Sequence, residues 1–166
     1  MFIFDASTLI LTAKMETLES FLDSVEFDVA IPLEVEKECA AKRSLDALMI
    51  QKALDESRIR VVAVKNKKLV TKLEGDFGLG RGEAEAIALA LAEKAQVLGI
   101  DDKNGINACK LLGIAFTTAM GILVRMREKR LLTIAEALVK LEILAKHGRY
   151  KQSILQDASR KLETAT

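Results

Sequence analysis

Short apolar runs separated by longer helical patterns constrain this chain most. Four β-rich runs, Phe2–Phe4, Phe27–Ile31, Ile59–Val64 and Val97–Ile100, alternate with helical stretches, and a weaker fifth covers Ile114–Thr117. That alternation predicts an α/β fold, a parallel sheet flanked by helices. Its strand-to-strand connections are expected to be right-handed.

The helices can be placed from caps and periodicity. Ser7 and Thr8 are N-cap candidates for a helix through Leu9, Ile10 and Leu11, and the helical pattern continues from Met15 to Val25. Pro32, the only proline, suits the first turn of a helix reaching about Ala41. Ser44 can cap a helix to about Asp55, and Gly78, Gly80 and Gly82 lead flexibly into a helix over Glu83–Ala95. A helix over Asn104–Leu112 ends at Gly113. Beyond Thr117 no strand is expected: Ala119–Arg130, Thr133–Lys146 and Tyr150–Leu162 read as helices. In the second of these, Ile134, Leu138, Leu141 and Ala145 make one apolar stripe, usable by a helix–helix core or by a dimer face. The lysines between Lys65 and Lys72 mark a surface helix or loop. With no linker or repeat, residues 1–166 read as one domain whose part from about 119 onward is helical.

Composition narrows the functional classes. A chain of 166 residues, 50% hydrophobic and 30% charged, can bury a core and lies far from disorder. The net charge is only +1, but residues 101–166 carry +5 and residues 1–100 carry −4. That asymmetry suits either an anionic polymer held near an acidic site or an ordinary solvated surface. Cys39 and Cys109 form no CxxC pair and His147 is the single histidine, which argues against structural zinc. Both cysteines read as reduced core residues, pointing to a cytoplasmic setting. The opening Met1–Phe4 lacks a basic n-region and Asp5 interrupts it, so no signal peptide is expected. The longest purely apolar stretch, Ala86–Ala92, is far too short for a bilayer, so no membrane association is expected.

The acids stand where strands give way to loops or helices. Asp5 closes the first strand, Glu38 lies one turn beyond Glu34, Glu83 opens the alanine-rich helix, and Asp101 and Asp102 follow Ile100. In an open α/β sheet that edge is where ligands bind. Carboxylates gathered there repel one another, and a hard divalent cation such as Mg²⁺ or Mn²⁺ relieves the repulsion. Each acid also has a structural reading. Asp5, Asp101 and Asp102 can be helix caps, Glu83 can compensate a helix dipole, and Glu38 can be solvated. Glu83 and Glu85 project about 200° apart on a helix, so at most one faces the edge.

These residues resemble the PIN domain nucleases, particularly prokaryotic single-domain forms related to the ribonucleases of toxin–antitoxin pairs. The matching pieces are Phe4–Ser7, Ile31–Glu38, Gly82–Ala90 and Ile100–Asp102, with the tail from Gly148, Arg149 and Tyr150 onward. The resemblance implies a three-layer α/β/α sandwich with a central parallel sheet and a divalent-metal site of Mg²⁺ or Mn²⁺. It implies hydrolysis of RNA phosphodiester bonds by an acidic quartet of Asp5, Glu38, Glu83 and Asp101. Ser7 would be a polar helper and Asp102 a neighbouring metal ligand. An antitoxin protein and a second copy of the chain are the partners implied. Many relatives have aspartate where Glu83 stands, and Glu85 rivals it. The doubled fourth acid leaves Asp101 and Asp102 unseparated. Lys65, Lys67, Lys68, Arg81 and Lys103 are candidates for positioning phosphates.

Two other classes compete. A non-catalytic RNA-binding or assembly module could use the same fold. A phosphatase forming an aspartyl-phosphate on Asp5 would place a second aspartate two residues later, where Ser7 stands.

Overall fold

The computed structural model describes residues 1–165. In chain order the elements are β1 (Phe2–Phe4), α1 (Ala6–Lys14), α2 (Leu18–Ser24), β2 (Val29–Pro32), α3 (Leu33–Ala40), α4 (Leu45–Asp55) and β3 (Ile59–Val62). There follow α5 (Lys67–Phe77), α6 (Arg81–Ala92), β4 (Val97–Gly99), α7 (Lys103–Leu112), β5 (Phe116–Thr117), α8 (Ala119–Glu128), α9 (Ile134–His147) and α10 (Gln152–Thr164).

The five strands form one parallel sheet in the order β3-β2-β1-β4-β5. Side chains alternate across it as a pleated strand requires. Phe2, Phe4, Val29, Ile31 and Ile59 pack on one face with α1–α4 and α8. Ile3, Leu98 and Ile100 pack on the other with residues of α5, α6 and α7. Both faces are therefore covered, and the fold is a three-layer α/β/α sandwich. On the first face Phe2, Phe4 and Phe21 form a ring triad with centroids 4.7 to 5.4 Å apart. On the second, α6 is buried almost all round because its alanines allow close approach. A third cluster, outside α1, joins Leu11 and Met15 to Met120, Leu123, Leu141, Leu144 and Leu162 of α8, α9 and α10.

The structure corrects several expectations. The cap of α1 is Asp5, not Ser7 or Thr8. The helical pattern breaks after Lys14: Glu16 takes a left-handed backbone, and Thr17, buried, donates its hydroxyl to the Thr12 carbonyl at 3.1 Å. Pro32 ends β2 and stands at the cap position of α3 rather than inside it. The lysine-rich segment, expected as a surface helix or loop, is indeed largely the helix α5, capped by Asn66. Helix α6 stops at Ala92 because Lys94 turns left-handed. On α9 the buried stripe is Ala137, Leu141 and Leu144, while Ile134 is 40% exposed and Ala145 faces solvent. Among the described residues no helix is long and apolar enough to cross a membrane.

Candidate active site at the carboxyl edge of the sheet

From β1 the chain moves outward to β2 and β3, then returns to the other side for β4 and β5. The gap between the carboxyl ends of β1 and β4 is therefore the point where strand order reverses, the usual ligand crevice of such sheets. Asp5 and Asp101 stand at those two ends.

Asp5 is fully buried, and its backbone N–H donates to the Gly99 carbonyl of β4 at 2.9 Å. Its Oδ1 accepts from the Thr8 N–H at 2.7 Å and its Oδ2 from the Ser7 hydroxyl at 2.8 Å. It is at once a helix cap and a fully buried carboxyl group. Burial pushes its carboxyl up to about 7, against the lowering pull of Thr8 and Ser7, and the Asp101 charge adds to the rise.

Asp101 is half-buried and its oxygens are heavily engaged. Oδ2 accepts from the Thr8 hydroxyl and from the Ala119 N–H, each at 2.8 Å, and Oδ1 accepts from the Tyr150 hydroxyl. Thr8 thus joins the two acids, its N–H on Asp5 and its hydroxyl on Asp101. Asp102 caps α7, accepting from the Gly105 N–H at 2.9 Å through Oδ2.

Glu38 and Glu83 come from α3 and α6. Residue 82 is where these helices approach: a Cβ there would lie 2.9 Å from the Glu38 carboxyl carbon, so glycine clears the space the carboxylate occupies. Loss of water at that contact raises the Glu38 carboxyl, and the Glu34 and Glu83 charges raise it further. Glu83 accepts from the Gly80 N–H at 2.9 Å. Its carboxyl is raised first by burial and then by Asp102, although the Gly80 bond opposes the shift. Cys39, next to Glu38, is buried where Glu38 and then Asp5 add to the burial that pushes its thiol up to about 12. By mutual repulsion the acids fall into two sets, Asp5 with Asp101, and Glu38 with Glu83 and Asp102.

The remaining candidates lie outside these two sets. Glu85 is buried and held by Lys67 at 3.0 Å and Arg81 at 3.5 Å, with its second oxygen 3.4 Å from the Glu34 N–H. Arg81 also pairs with Glu74 at 3.2 Å. Lys65, Lys68 and Lys103 are exposed and have no ion pair among the described residues. Thr8 had a sequence signal only as a helix cap. Tyr150 had a signal only as part of the tail stretch that carries the family resemblance, with no role attached, and it stands 49 residues from its partner.

The sequence model of one family, described as PIN domain, matches residues 1–164. The chain belongs to the PIN domain family. No curated protein and no solved structure matches it. PIN domains are generally nucleases and generally work with divalent cations. The donor set of this PIN domain fits such an ion in chemistry: the candidates are carboxylates, three of them are raised by burial and mutual repulsion, and Gly82 leaves one its room. Among the described residues no three carboxylate, thiol or imidazole groups converge closely enough to ligate one ion directly. Mg²⁺ commonly takes one or two carboxylates and completes its shell with water, so the fit does not require such a trio.

Proposed function

We propose that this PIN domain is a divalent-metal-dependent endoribonuclease, the toxin of a toxin–antitoxin pair, with Asp5, Glu38, Glu83 and the Asp101–Asp102 pair as its acids. One observation carries the reading: Asp5 is a fully buried carboxylate, raised to about 7, joined through Thr8 to a second acid at the reversal point of the sheet. Such a group is costly unless a cation or a proton accompanies it.

Asp5, Glu38, Glu83, Asp101 and Asp102 would hold Mg²⁺ or Mn²⁺. When bound, the ion supplies Lewis-acid stabilisation of a phosphoryl oxygen and a more acidic water. The chain's own residues do the rest. Ser7 and Thr8 hold the Asp5 oxygens in one orientation. Asp101 orders Thr8. Lys65, Lys68 and Lys103 can draw in the phosphate backbone. Glu83 is preferred over Glu85 as the third acid because Glu85 is neutralised by Lys67 and Arg81. RNA is the substrate under this reading, in the cytoplasm, with an antitoxin protein and a second copy of the chain as partners.

The purified protein should cleave single-stranded RNA with Mn²⁺ or Mg²⁺, stop on adding a chelator, and lose activity on Asp5→Asn. Cleavage that survives both treatments would reject the mechanism. The absence of a converged trio among the described residues favours a second reading, an RNA-binding module without turnover. Salt-sensitive RNA binding with no metal uptake and no cleavage would establish that alternative.

A further inference from the structure

We propose that Tyr150 is a positioning residue of the nuclease site, its hydroxyl holding Asp101 so that the C-terminal helical layer completes the acidic edge. The proposal rests on the endoribonuclease reading above. Asp101 accepts from three donors on three parts of the chain: Thr8 in α1, the Ala119 N–H at the start of α8, and Tyr150 in the α9–α10 connection. A carboxylate has about four lone-pair sites, so three donors fix its rotation. Only the Tyr150 bond comes from beyond α8.

The tyrosine is anchored for this task. Its ring packs against the outer cluster of α8, α9 and α10, and its hydroxyl reaches inward to Asp101. Gly148 makes the turn possible: a Cβ there would stand 2.8 Å from the Leu144 carbonyl and 2.7 Å from Cδ2 of the Tyr150 ring. A phenylalanine would fill the same apolar slot, so packing does not account for the hydroxyl. From Asp101 the path continues through the Thr8 hydroxyl to the Thr8 N–H on Asp5. Without the tyrosine bond Asp101 is held at Oδ2 alone, and the order it transmits to Thr8 and Asp5 is weakened.

The test uses Tyr150→Phe and Asp101→Asn in the full chain. Tyr150 is the only tyrosine and there is no tryptophan, so tyrosine emission reports this one hydroxyl without metal or substrate. A carboxylate acceptor takes up the proton of the excited phenol and quenches that emission more strongly than a neutral amide does. Emission should be weak in the native wild type and rise in Asp101→Asn. Tyr150→Phe should keep its far-ultraviolet circular dichroism, lose about tenfold or more in kcat on single-stranded RNA with Mn²⁺, and keep its KM, the loss typical when an orienting partner of a metal-holding side chain is removed. Equal emission in the wild type and Asp101→Asn overturns the proposal, as does full kcat in a folded Tyr150→Phe. A wild type without turnover overturns the nuclease reading itself and, with it, the proposal.

Discussion

At the scale of single residues, Asp5 determines how the protein responds to pH. Its carboxyl rises from 3.8 to about 7 on folding, so the folded state holds the proton more tightly than the unfolded chain does. The protonated group's contribution to stability is complete below about pH 4 and is lost as pH climbs through about 7. Asp5→Asn removes that loss. In metal-free buffer the variant should melt higher than the wild type above pH 7, by up to about 4 kcal/mol, and the gap should close toward pH 4. A gap that stays constant across this range would mean that Asp5 does not carry the predicted shift. Gly82 permits a separate test. Gly82→Ala adds a methyl group against the far end of the Glu38 side chain and improves helix propensity by about 1 kcal/mol. Melting should therefore hold or rise while Mn²⁺ affinity and cleavage fall. A stable variant with unchanged metal affinity would separate Glu38 from the site.

At the scale of elements, α6 presents Glu83 and Glu85 to different surroundings. Glu83→Gln should abolish metal uptake with little change in stability. Glu85→Gln should keep metal uptake but cost about 1–3 kcal/mol in urea melts, because it weakens a buried bond to Lys67 and Arg81. The reverse pattern would exchange their roles. These elements also show what periodicity can and cannot resolve. The strands were legible because parallel strands buried on both faces read as short apolar runs; four lie within those runs, and β2 overruns its own by one residue, Pro32. The break between α1 and α2 was not, because a left-handed Glu16 leaves no compositional mark. The stripe on α9 was half right: Leu138 and Leu141 pack inward as expected, but the apolar residues occur around most of the helix, and contact with the neighbouring helices selects Ala137 and Leu144 over Ile134 and Ala145. Asp5 and the Asp101–Asp102 pair stand at strand exits that the sequence marks, whereas Glu38 and Glu83 lie within helices. The linkage through Thr8 and Tyr150 could not be read from sequence, since it depends on contacts between distant segments.

At the scale of the whole molecule, folding brings an acidic edge and separate lysines together on one globule. Replacing Lys65, Lys68 and Lys103 by glutamine should weaken binding to single-stranded RNA across sequences. It should also flatten the log–log salt dependence by about 2, if each lysine neutralises one phosphate. An unchanged slope would remove these lysines from the RNA path. The fold itself should tolerate the change, since all three are exposed and have no ion pair among the described residues.

The most direct test is a Mn²⁺ titration of the wild-type protein and Asp5→Asn near pH 7.5, following the free-ion signal by electron paramagnetic resonance. If the acids at the β1–β4 crevice share a cation, the wild type removes free Mn²⁺ from solution in stoichiometric amount and Asp5→Asn does not. Wild-type protein that leaves the signal untouched, or a variant that binds equally well, would contradict the account.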